Sequence, residues 1–167
     1  MDDYSYFSQD KRFGLKLTKS LANEMFDFCL NDKSHETGGI LIGHYTSDQS
    51  CAIVNLVKGP TSDSKSGRTW FYRGTKDLQV FLERLWRTNK NHYLGEWHYH
   101  PGGSPIPSVE DRMQMTQIAN SKRYNCPEPI LIIIGGQLEI GAYVFPKGYD
   151  YAKLKGENTQ VRGNNGV

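Results

Sequence analysis

The sequence predicts an α/β domain with a mixed β-sheet flanked by helices, and three observations carry that prediction. Apolar residues recur at helical spacing in three segments, around 21–29, 78–86 and 111–118. Between them lie runs that are almost wholly apolar, at 40–42, 51–57 and 129–134, as expected of strands covered on both faces. Turn-forming residues then join pairs of such runs into hairpins. Helices alternating with hairpins bury their apolar faces best as layers on one sheet.

Taken in order, Phe13, Leu15 and Leu17 alternate and predict a short edge strand. Thr18 or Ser20 caps a first helix whose stripe is Leu21, Met25, Phe28 and Cys29, closed by the polar residues 31–34. Gly38 and Gly39 precede the 40–42 strand and allow a close approach by another backbone or a ligand. Residues 45–50 turn the chain into the second strand, 51–57. The polar segment 58–74 reads as a loop, except that the aromatic cluster Trp70-Phe71-Tyr72-Arg73 predicts either a strand packed on the sheet, the favoured reading, or a substrate-contacting flap. Thr75 is the expected cap of a second helix with Leu78, Phe81, Leu82, Leu85 and Trp86 inward. A strand over 93–99 and a helix over 109–122 follow. Gly135-Gly136 then turns 129–134 back into 138–144. Residues 1–146 are expected to form one domain and 147–167 a flexible tail rich in Gly and Asn.

Composition excludes several functions. With 20 basic against 18 acidic residues and no basic block, a groove working by bulk attraction to nucleic acid is not expected. No apolar run approaches membrane-spanning length, and the first residues are acidic, unlike a signal peptide, so the expected location is the cytoplasm. Cys29, Cys51 and Cys126 are isolated thiols without a CxxC pair, which fits a reducing compartment.

The candidate site is Glu96-Trp97-His98-Tyr99-His100, followed by a Pro/Gly-rich loop, Ser108 and Asp111. On a strand, His98 and His100 project to one face, while Tyr99 and Trp97 project to the other. Ser108 reads as a helix N-cap, and Asp111 shares the inward stripe of Met115 and Ile118. Strand end and helix start thus bring together two imidazoles and a carboxylate. A histidine pair alone is commonplace, but the joint pattern is the three-donor set of a catalytic zinc, with a fourth position left for water. Cys126 as a fourth protein ligand would close that site, so it is left out. Hydrolysis also needs a base. Glu96, on the same strand face as His98, is a candidate third ligand, and Glu36, before the glycine pair, is a candidate to lean over the metal water. Spacing alone does not choose between them. His35, His44 and His92 read as surface residues, and Trp86 and Trp97 as core.

His98-Tyr99-His100-Pro101, Ser108 and Asp111, with Glu36 ahead of Thr37-Gly38-Gly39-Ile40-Leu41-Ile42-Gly43, resemble the JAMM motif of the JAB/MPN metalloprotease family. The resemblance runs over about residues 15–146 and implies a cytidine-deaminase-like JAB/MPN fold. It implies Zn2+ on His98, His100 and Asp111, Glu36 as general acid/base, and Ser108 holding the water and oxyanion. The implied activity is cleavage of isopeptide or peptide bonds at the C-terminal tail of a ubiquitin-like or similarly conjugated protein. The string Leu94-Gly95-Glu96-Trp97-His98-Tyr99-His100-Pro101-Gly102-Gly103 is similar to bacterial JAB proteins encoded beside E1- and E2-like enzymes. These include deconjugases of anti-phage CBASS operons, which act on a conjugated nucleotidyltransferase. The alternatives are family peptidases outside conjugation, in sulfur-carrier or phage-tail processing, and a metal-free scaffold of the same fold. Tyr99 departs from the smaller Ser or Thr that many members carry between the histidines.

Overall fold

A computed structural model describes residues 3–157. Its elements are β1 (Tyr4–Phe7), β2 (Gly14–Leu17), α1 (Lys19–Asn31), β3 (Thr37–Tyr45), β4 (Cys51–Lys58), β5 (Lys65–Ser66), β6 (Phe71–Tyr72), α2 (Leu78–Asn89), β7 (His92–Tyr99), α3 (Val109–Asn120), β8 (Ile130–Ile134), β9 (Ile140–Val144) and β10 (Ala152–Gly156). The main sheet runs β1-β10-β9-β8-β7-β3-β4-β2 and closes on itself through β1 and β2. It is mixed, as predicted: β7 pairs parallel with β8 and β2 with β4, and the other ladders are antiparallel.

The apolar strands read as they do because the sheet is buried on both sides. Leu41, Trp97, Ile130, Ile132 and Ile134 face α1, while Ile40, Ile42, Leu131 and Ile133 face the side of α2 and α3. Trp97 is fully buried, packs on Phe28 with ring centroids 5.7 Å apart, and donates its indole N–H to the Lys58 carbonyl at 3.1 Å. Burying roughly 200 Å² of such a ring contributes about 5 kcal/mol at ~25 cal/mol per Å². Thr18 is the cap of α1, its hydroxyl accepting from the Leu21 N–H at 3.3 Å.

Several expectations are corrected. Part of the 147–167 tail is a strand: β10 alternates, with Leu154 buried between outward Lys153 and Lys155, and it joins β1 to β9 to complete the closed sheet. Residues 158–167 of the expected tail lie outside the described residues. Trp70–Arg73 does not extend the main sheet, because β6 pairs only with β5 in a separate ribbon. Helix α2 begins at Leu78, not after Thr75, because the Asp63 carboxylate accepts from the Thr75 and Lys76 N–H groups, at 3.0 and 3.2 Å, before the helical turns begin. Trp86 is 51% exposed and stands edge-on to His92 instead of in the core. The β8–β9 turn extends through Leu138, whose φ of 60° places it in the left-handed region. Among the described residues no helix is long and apolar enough to cross a membrane.

Candidate metal centre and active site

The site forms where β7 ends and α3 begins. A bulge sets its phase: Leu41 pairs with Gly95 and Ile42 with Tyr93, leaving Leu94 as the extra residue on β7. Leu94 then faces α1, and Tyr93 and Glu96 come to share the opposite face, where the Tyr93 hydroxyl donates to Glu96 at 3.0 Å. Gly95 permits this with φ 154° and a backbone so close to β8 that a Cβ would lie 1.9 Å from the Ile130 carbonyl oxygen. From Glu96 on, ordinary alternation sends Glu96, His98 and His100 one way. Trp97 and Tyr99 go the other way into the α1 core. Tyr99 therefore points away from the histidines, as its position predicts.

Ser108 caps α3 in a reciprocal box. Its hydroxyl oxygen accepts from the Asp111 N–H at 3.0 Å, and its own N–H donates to Asp111 Oδ2 at 2.8 Å. The box fixes the Asp111 side chain under β7. His98 Nδ1 lies 2.6 Å from Asp111 Oδ1, and His100 Nε2 lies 3.2 Å from Oδ2. One carboxylate thus bridges both imidazoles.

Charge and burial explain the titration of this cluster. Burial alone would raise Asp111, but hydrogen bonds from His100 and His98 overcome it and hold the carboxyl far below the usual range. Burial alone would depress His98, yet Asp111 and Glu96 push it up to about 9. His100 is raised in the same way, with Asp111 outweighing desolvation. Glu96 Oε2 stands 3.7 Å from His98 Nε2, too far for a hydrogen bond, so it acts on the ring through its charge.

Glu36 enters from β3. Thr37 pairs with Tyr99, so Glu36 stands level with His100. Its carboxyl is raised above the ordinary range, first by desolvation and then by Asp111 and Glu110, against the pull of His100 and His98. Gly38 opposes His98, and a Cβ there would sit 2.9 Å from the imidazole Cδ2 and 2.4 Å from the Trp97 carbonyl oxygen. The glycine is what lets β3 lie against the histidine strand.

The structure therefore brings His98, His100, Asp111 and Ser108 into direct contact and sets Glu36 within their field. It gives Glu96 a different surrounding from that of a third ligand: the carboxylate is fully buried and accepts from Arg73 Nε at 2.8 and 2.9 Å. Cys126 lies elsewhere, beside the Leu94 carbonyl and the Tyr45 hydroxyl. Sequence reasoning missed Arg73 as Glu96's partner. The available signal was an acidic residue inside an otherwise apolar strand, since a buried carboxylate needs a cation.

Among the described residues no group of three His, Cys, Asp or Glu side chains stands ready-made as a metal cage, and His98 and His100 both contact the Asp111 carboxylate. Two imidazoles and a carboxylate are nevertheless the ligand chemistry zinc takes in catalytic sites. Among the described residues His98 Nε2 is the buried side-chain nitrogen or oxygen left without a partner, a nitrogen lone pair available to an electrophile when the ring is neutral. The residues fit the ion.

Comparison with known proteins fixes the family. A model described as prokaryotic homologs of the JAB domain matches residues 18–145. The chain belongs to the JAB family. A protein of Enterobacter hormaechei named CD-NTase/cGAS isopeptidase is 40% identical over 150 residues, covering 87% of this chain and 83% of that one. A Pseudomonas aeruginosa protein of the same name is 26% identical over 134 residues, covering 78% and 83%. The solution structure of protein DSY2949 from Desulfitobacterium hafniense matches with a TM-score of 0.59 at 20% identity, over 86% of this chain and 88% of that one, and it supports the fold. The matched JAB region spans α1 through the end of β9, so every site residue described above lies inside it.

Proposed function

We propose that this JAB protein is a zinc-dependent isopeptidase that releases a nucleotidyltransferase of the CD-NTase class from conjugates made through its C-terminal tail, within a CBASS-type anti-phage system. The observation that carries the reading is the Asp111 carboxylate bridging His98 and His100 beside a half-buried Glu36. The names of the similar Enterobacter and Pseudomonas proteins supply the substrate class.

In this reading His98, His100 and Asp111 hold the metal. Bound there, zinc supplies acidified water and a polarised scissile carbonyl. Glu36 takes a proton on its carboxylate and returns it to the nitrogen of the departing amine. Its raised affinity for protons brings it nearer the operating pH, where a general base works best. Ser108 Oγ already accepts from the Asp111 N–H, so its own hydrogen is free to be donated to the developing oxyanion.

The test is incubation with a CD-NTase conjugate made by E1/E2-like enzymes of a CBASS system, with the released tail read by mass spectrometry. Cleavage is expected at the conjugating amide, lost on treatment with a chelator and restored by zinc. Alkylating reagents should leave it intact, because Cys29, Cys51 and Cys126 are all buried. Cleavage that persists after exhaustive chelation, or that alkylation abolishes, would overturn the reading.

A further inference from the structure

The segment between β4 and α2 touches the site at three points. The Gly67 carbonyl accepts from the Glu36 N–H at 2.8 Å. Phe71 stands edge-on to the His98 ring, with centroids 5.8 Å apart at 73°. Arg73 reaches Glu96, the neighbour of His98 on the same strand face. At its base the segment is tied shut: Asp63 accepts from the Thr75 and Lys76 N–H groups, and Ser64 Oγ accepts from the Gly74 N–H at 2.9 Å. It is a preformed flap, and the chemistry assigned above makes no use of it.

Arg73 is the member of the flap that goes into the core, where it is 8% exposed. Its guanidinium has one satisfied contact in each direction. Nε donates to both oxygens of Glu96, Nη1 to the Gly74 carbonyl at 3.1 Å, and Nη2 to the Tyr124 hydroxyl at 2.6 Å. Tyr93 adds a second donor to Glu96. Glu96 is therefore immobilised from two sides, and its Oε2 is the carboxylate oxygen facing His98 Nε2. Asp111 meets the other nitrogen of the same ring. His98 is thus set between two fixed carboxylates, one anchored by α3 and the other by the flap. Phe71 packed edge-on and the fixed Glu96 charge together limit how the His98 ring can turn, and outer partners of this kind tune the metal affinity of a histidine ligand.

We propose that Arg73 is a positioning residue for this active site, fastening the 61–74 flap to Glu96 and, through Glu96 and Phe71, fixing the His98 ring. The metal-holding part of the proposal rests on the zinc reading above. A buried ion pair can equally serve to hold a fold together by charge compensation alone. Lysine separates the two roles: it keeps the positive charge but has neither the planar fork nor the reach to serve Glu96, Gly74 and Tyr124 together.

The test compares Arg73→Lys with the unaltered protein in three measurements. These are Co2+ affinity by chelator competition with the cobalt absorption spectrum, the His98 ring nitrogen resonances of metal-free protein, and amide hydrogen exchange over 65–73. The expected result is a 10- to 100-fold loss of Co2+ affinity with an altered spectrum, displaced His98 resonances and faster flap exchange. Unchanged values throughout would show that charge alone matters and would overturn the proposal, as would faster flap exchange with His98 and Co2+ unaffected. Should Arg73→Lys fail to fold, Tyr124→Phe removes one of the three anchors of Arg73 and is read in the same way, with smaller shifts in the same direction expected and none contradicting. If the unaltered protein takes up no Co2+, the zinc reading falls, and the His98 resonances of the metal-free variants alone decide the role of Arg73.

Discussion

Glu36→Gln is expected to cut turnover of the conjugate about a thousandfold while bound zinc stays at about one per chain. The substitution keeps the shape of the side chain and its place level with His100, but an amide neither takes up a proton from water nor delivers one to an amine. Since β3 is held by its backbone ladder to β7 and by the Glu36 N–H on the Gly67 carbonyl, the fold is untouched. Steady-state kinetics with metal analysis of the same sample reads both quantities. Loss of zinc in this variant would make Glu36 a ligand instead of the base.

The second large effect is at Asp111, which has two jobs that a well-chosen substitution separates. Asp111→Asn leaves an amide oxygen to accept from the Ser108 N–H, so the capping box of α3 survives, but the charge that bridges the two imidazoles is gone. We expect this variant to fold, to lose tight metal binding and to lose nearly all activity. Asp111→Ala should do the same and also melt lower, because the Ser108 N–H loses its acceptor in the capping box, although Ser108 Oγ still caps the residue 111 N–H, and His98 loses a buried partner. One such hydrogen bond contributes about 1 kcal/mol and an orphaned buried donor costs about 1–3 kcal/mol. Thermal unfolding and metal analysis of the pair check this. Full activity in Asp111→Asn would overturn the ligand assignment.

The parts of this molecule legible from sequence are those set by short-range periodicity. Two histidines two residues apart must share a strand face, and Ser108 with Asp111 three residues later is a capping box wherever a helix starts there. The apolar run of β8 could be read as a strand covered on both sides, since Ile130 and Leu131 serve opposite cores. What escaped depends on partners far away in the chain. β10 carries only Leu154 inward, too weak a signal beside its lysines, and it becomes a strand because β1 and β9 offer open ladders on either side. The start of α2 is hidden for a like reason, since Asp63 sits twelve residues before Thr75 and intercepts its N–H. Arg73 stands in an aromatic run that reads as a sheet strand or a flap, and only the fold shows that it neutralises Glu96. Even the Glu96 alternative was undecidable without that ion pair.

Anomalous diffraction at the zinc absorption edge, from crystals grown with metal present, tests the central claim most directly. The account expects one strong peak contacted by His98, His100 and Asp111, with Glu36 beside it and Glu96 still on Arg73. A peak held by Glu96, or no peak among these side chains in metal-replete crystals, would contradict it.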